Sequence, residues 1–64
     1  MSSEKIRVMI ADNNRELCAA LSDHLALQSD MELVGLAYDG LAALEKIKAV
    51  NPDVLILDIT MPYL

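Results

Sequence analysis

The sequence predicts an α/β domain built on a parallel sheet, and three observations predict it. Short aliphatic runs at Ile6–Ala11 and Val54–Leu57 have the continuous apolar character of strands buried on both faces. Strand-like and helix-like stretches alternate along the chain as β-α-β-α-β, the order of parallel strands joined by right-handed crossovers. Both aliphatic runs end in an aspartate, Asp12 before Asn13-Asn14 and Asp58 before Ile59-Thr60-Met61-Pro62. Ligand sites in parallel sheets form at the carboxyl ends of strands. Two acidic strand ends side by side would offer oxygen ligands to a hard divalent cation.

The first strand, β1, is expected over Ile6–Ala11, with Arg7 its one charge. A helix, α1, opens at Asn13-Asn14, where Asn13 is a suitable N-cap and Glu16 completes a capping-box pattern. Leu17, Leu21 and Leu25 recur at i, i+4, i+8 with Ala20 beside them, predicting one buried stripe on a helix ending near Gln28. Ser29-Asp30 is a turn, and Glu32–Ala37 is the second strand, β2. Asp39-Gly40 opens the second helix, α2, whose buried face is expected at Leu41, Leu44 and Ile47. Lys46 and Lys48 lie near its negative end, and Asn51-Pro52 stops it. Val54–Leu57 is then β3, four aliphatic residues in a row and so a strand expected to be covered on both faces.

Length and composition bound what this segment can do. Sixty-four residues make at most one small domain, and such a domain buries only about 60% of its unfolded surface. At 55% apolar the chain is too hydrophobic for disorder, yet no run approaches the roughly 18 residues of a membrane span. A net charge of −5 argues against nucleic-acid binding by this segment, since Lys5, Arg7, Arg15, Lys46 and Lys48 are scattered. No hydrophobic signal core follows Met1–Lys5, and Cys18 has no partner for an internal disulfide. A cytoplasmic setting is expected.

The acidic ends of β1 and β3 form one site only if those strands are neighbours, which requires the order 2-1-3. The crossovers then run in opposite directions and place their helices on opposite faces. This is the first half of a flavodoxin-like doubly wound fold, truncated after β3. In that order β3 keeps an open edge and bare aliphatic faces, an arrangement that promotes pairing with another chain. The 64-residue chain is therefore not expected to stand alone as a monomer. Further strands beside β3, or a second copy in a dimer or strand exchange, should cover it.

An acidic position after β1, an aspartate after β3 and Met61-Pro62 beyond it resemble the receiver domain of bacterial two-component response regulators, of the CheY-like fold. The resemblance covers the whole chain, residues 1–64, but only the amino-terminal half of a receiver. Within the family, Asn14-Arg15-Glu16-Leu17, Leu21-Ser22, Asp30-Met31-Glu32, Gly35, Ala37-Tyr38, Gly40 and Pro52-Asp53-Val54 are similar to the sporulation regulators of spore-forming Firmicutes.

The resemblance implies that Asp58 is a phosphoacceptor, fed by a histidine kinase or histidine phosphotransferase in a phosphorelay. It implies Mg²⁺, with Ca²⁺ or Mn²⁺ as substitutes, held by Asp12, Asn13, Asp58 and the Thr60 backbone carbonyl. It also implies a DNA-binding output domain of sporulation, reached only through residues outside this chain. The segment itself is not expected to be an enzyme. Two departures from the family pattern stand out. Position 13 is Asn where the family has an acid, which predicts weaker Mg²⁺ affinity. The family's switch hydroxyl and lysine lie beyond Leu64, and Lys5, Lys46 and Lys48 are placed too far away to replace them.

Plainer readings stand beside these. Asp12 and Asp58 can serve as strand-end caps, and Asn13 as the helix cap whatever else it does. Pro62 restricts Met61 to an extended backbone in either case. His24 reads as a flank residue of α1, Cys18 as a small core residue. The polar face near Arg15 and Glu16 docks the phosphodonor in the family and is otherwise a solvated surface. A different functional class is also open: an unphosphorylated interaction fragment that associates through the edge of β3. An enzyme of flavodoxin-like fold is disfavoured, because Asp12-Asn13-Asn14 stands where a glycine-rich phosphate loop would be.

Overall fold

β1 lies at the centre of a three-stranded parallel sheet ordered β2-β1-β3, as the acidic strand ends require. The computed structural model describes residues 4–58, so the expectations for Thr60, Met61 and Pro62 lie outside the described residues. The elements are β1 Ile6–Ala11, α1 Arg15–Ala26, β2 Met31–Ala37, α2 Gly40–Val50 and β3 Val54–Leu57. No helix among the described residues is long and apolar enough to cross a membrane.

Alternation along β1 divides the core in two, because successive side chains of a strand point to opposite faces. Val8 and Ile10 pack with Cys18 and Leu25 under α1, joined by Leu21, Met31, Leu33, Leu36 and Tyr38. Met9 and Ala11 pack with Ala37 and Ala43 under α2, joined by Ile47, Val50 and Leu55. Helices on both faces follow from crossovers that leave β1 in opposite directions. Met9, Ile10 and Ala11 are 0% exposed, so the middle strand is the core.

Pairing with β2 is interrupted once. Val8 pairs with Leu33 but Met9 pairs with Gly35, so Val34 is an extra residue on β2. Such a bulge bends an edge strand and discourages pairing with another chain. Gly35 leaves room for Lys46, whose Cγ would stand 2.9 Å from a β-carbon built at that position. The Lys46 stem therefore lies on β2.

Each helix buries part of the face expected, at Leu21 and Leu25 in α1 and Ile47 in α2, and turns the rest outward. Leu17 is 42% exposed, while Cys18 and Leu25 are buried and Leu21 is half-buried. Residues at i, i+4, i+8 drift around a helix of 3.6 residues per turn, whereas 18, 21 and 25 follow its contact line. In α2, Leu41 and Leu44 are 58% and 54% exposed, and Gly40, Ala43 and Val50 face the sheet beside the expected Ile47. Small residues at positions 40 and 43 let the helix start close to β1 and β2. The helix stops at Asn51, in the left-handed region at φ 49°, whose N–H donates to Ile47 O at 2.8 Å.

β3 keeps the bare aliphatic faces that its place at the end of the order β2-β1-β3 implies. Val54, Ile56 and Leu57 are 45%, 39% and 40% exposed, and Leu55 is the residue of this strand that packs in the core. Its pairing with β1 is regular, from Val8 with Val54 to Ala11 with Leu57. At the entrance to β3, Arg7 N–H donates to Asp53 Oδ2 at 2.9 Å and Asp53 N–H returns a bond to Arg7 O at 2.8 Å. The Arg7 guanidinium reaches Asn51 O at 2.8 Å.

Candidate acidic site at the carboxyl ends of the strands

Hydrogen bonds from the sheet carry straight into the candidate site. Asp12 N–H donates to Ala37 O at 3.0 Å, and Asp58 N–H donates to Ala11 O at 2.9 Å. Ala11 pairs with Leu57, so Asp12 and Asp58 occupy the next step on two adjacent parallel strands. The middle strand does not separate them, since β1 is itself the middle strand. Both aspartates are half-buried.

The loop after β1 is shaped by its own polar side chains. Asp12 Oδ1 accepts the Asn14 N–H at 2.9 Å, and Asn14 Oδ1 accepts the Leu17 N–H at 3.0 Å. Asn14, not Asn13, is therefore the N-cap of α1, and Glu16 does not stand at the capping-box position. The helix starts one residue later because the Asp12 carboxylate has already turned the chain. This leaves the exposed Asn13 amide uncommitted to capping. One oxygen of Asp12 holds the loop, and a carboxylate keeps a second oxygen as a ligand donor.

Cys18 supports the loop from below. Its thiol donates to Asp12 O at 3.4 Å from a position 1% exposed. Burial pushes the Cys18 thiol above its ordinary value and the Asp12 charge adds to this, while Arg15 and the hydrogen bond oppose it. On the surface, the Arg15 guanidinium lies 3.9 Å from the centre of the Tyr38 ring, so the start of α1 is tied to the end of β2. Arg15 and Tyr38 both appear among residues singled out by resemblance, but nothing in their spacing signals the contact. A groove lined by Glu4, Lys5, Arg7, Glu32 and Asp53 opens at the other end of the sheet, away from the aspartates.

The donor set suits a hard cation in kind. Two carboxylates and an amide oxygen at the end of a parallel sheet match the oxygen preference of Mg²⁺, which keeps waters and takes few protein ligands. No cluster of three His, Cys, Asp or Glu residues occurs among the described residues. An acid at position 13 would raise the carboxylate count at this strand end. Thr60, the fourth expected ligand, lies outside the described residues.

Comparison with known proteins agrees with this geometry. The model of the response regulator receiver domain matches residues 8–64. A protein-glutamate methylesterase/protein-glutamine glutaminase 1 of Geobacter metallireducens is 52% identical over 62 residues, 97% of this chain and 17% of that protein. The signal receiver domain of the response regulator NarL from Mycobacterium tuberculosis superposes with a TM-score of 0.89 at 43% identity, over 95% of this chain and 49% of that one. The response regulator domain of Thermotoga maritima CheB gives 0.89 at 43% identity, over 95% of this chain and 46% of that one. CheY6 of R. sphaeroides, solved with the P1 domain of CheA3, belongs to a structure that matches at 0.83 and 30% identity. The chain thus spans about half the length of these solved chains. With an acidic residue at the end of β1, another at the end of β3, and the order β2-β1-β3 joining them, the chain belongs to the response regulator receiver domain family.

Proposed function

We propose that this chain is the amino-terminal half of a receiver in which Asp58 accepts a phosphoryl group from a phosphohistidine of a kinase or phosphotransferase. One observation carries the reading: the β1–β3 register sets Asp58 beside Asp12, with the Asp58 N–H bound to Ala11 O. In the step itself an Asp58 carboxylate oxygen forms a bond to phosphorus as the phosphorus–nitrogen bond of the donor breaks. The departing imidazole nitrogen takes the electron pair. Asp12, Asn13 and the Thr60 carbonyl would hold Mg²⁺ next to Asp58. When bound, the cation offsets the like charge between carboxylate and phosphoryl oxygens.

Acetyl phosphate with Mg²⁺ tests this on the full-length protein. A hydroxylamine-labile phosphoryl mass increment, lost in Asp58→Asn, is expected. An increment that survives Asp58→Asn overturns the assignment.

A receiver passes its state to an output, and two outputs have support. The residues shared with sporulation regulators, Asn14-Arg15-Glu16-Leu17 among them, support a DNA-binding transcription factor such as stage-zero sporulation regulator A. The 52% identity to a methylesterase supports a second reading, control of protein-glutamate demethylation. In either case the receiver is not the catalyst. Methanol release from a methylated receptor substrate by the full-length protein supports the second output, and sequence-specific DNA retention supports the first.

A further inference from the structure

From the Arg7–Asp53 fastener we infer that these two residues set the register of β3, and so position Asp58 from the opposite end of the strand. The inference rests on the phosphoacceptor reading of Asp58 and deepens it. Register in a half-buried strand is specified by which residues are apolar, since a one-residue slip turns every side chain to the other face. That discrimination is missing here. Val54-Leu55-Ile56-Leu57 is aliphatic at every position, and so is the Val8-Met9-Ile10-Ala11 segment it pairs with. Within these four positions a slip exchanges one apolar side chain for another. Polar groups at the strand ends must decide.

At the amino end those groups are specific. Asp53 Oδ2 receives the Arg7 N–H at 2.9 Å, Asp53 N–H reaches Arg7 O at 2.8 Å, and the Arg7 guanidinium holds Asn51 O at 2.8 Å. A slip of one residue breaks all three. Arg7 precedes Asp12 by the same number of residues as Asp53 precedes Asp58, so closing the first pair aligns the second. A slipped strand moves Asp58 by about 3.3 Å along the sheet and presents its side chain to the other face. Exposed hydrogen bonds by themselves contribute modestly to net stability. Here they have only to separate two registers that the apolar residues leave nearly equal.

The test follows register and metal affinity separately in the full-length protein. Asp53→Ala is expected to lower Mg²⁺ affinity about tenfold, the population shift that loss of one charge-assisted hydrogen bond produces. Cross-strand NMR contacts of Val8 with Val54 should weaken in parallel, while Asp53→Asn, which keeps an acceptor, restores both. Leu25→Ala, a core change under α1, serves as the control and should lose stability without losing Mg²⁺ affinity. If Asp53→Ala does not fold, Arg7→Met gives the same readouts through the guanidinium bond alone. Native cross-strand contacts in Asp53→Ala, or native Mg²⁺ affinity with altered contacts, overturns the inference. If the unaltered protein fails to bind Mg²⁺, the phosphoacceptor reading fails, while the NMR contacts still decide whether Asp53 sets the register.

Discussion

Asn13 stands where the resemblance leads one to expect an acid. Because Asn14 takes the capping role, the Asn13 amide is uncommitted, and restoring a carboxylate there changes charge without disturbing the helix start. Asn13→Asp is expected to tighten Mg²⁺ binding by about tenfold, since affinity for hard cations rises with ligand charge. An unchanged dissociation constant by calorimetry would show that position 13 is not a ligand. Cys18 makes a second residue-level prediction. Its thiol is raised above the ordinary 9.0, chiefly by burial. Its contribution to stability is thus whole below 9.0 and declines as pH climbs through the folded value, because the unfolded chain ionises first. Denaturation midpoints should fall above pH 9 in the native chain and fall less in Cys18→Ala. At this scale the placement of Asp12 and Asp58 at adjacent strand ends was legible, because each directly follows an apolar run. The cap was not, because Asn13 and Asn14 are equally good caps and only the Asp12 side chain chooses between them.

Element boundaries lie close to those expected, while the buried faces match in part, at Leu21, Leu25 and Ile47 but not at Leu17, Leu41 and Leu44. Asn14→Ala should cost about 1 kcal/mol by removing the cap, and Asn13→Ala almost nothing, a contrast that urea denaturation resolves. Leu25→Ala should cost about 2–5 kcal/mol, whereas Leu17→Ala should cost less than about 1. Equal losses for the two leucines would restore the Leu17-Leu21-Leu25 stripe. Periodicity locates a helix because it is a local property of the chain. Which of two neighbouring lines along that helix meets the sheet depends on what the sheet offers. Cys18 fits over Val8 and Ile10, and Ala43 fits over Met9 and Ala11, where leucines would hold the helices away.

The whole chain presents an open strand. Val54, Ile56 and Leu57 are exposed beside an edge of β3 with no strand against it among the described residues. Such edges pair with other chains. Sedimentation equilibrium of the 64-residue chain is expected to show association that rises with concentration. A monomer that unfolds cooperatively across the same range would refute this. The amino-acid order by itself determined the strand–helix alternation, the neighbouring of β1 and β3, and two aspartates where those strands end. Each of these follows from local apolar pattern and the rules of parallel connection. Tertiary structure alone decided the cap at Asn14, the helix faces, the bulge at Val34 and the Arg15–Tyr38 and Arg7–Asp53 contacts. Apart from the cap, which the nearby Asp12 carboxylate chooses, these depend on distances between residues far apart in the chain, which no short-range pattern encodes.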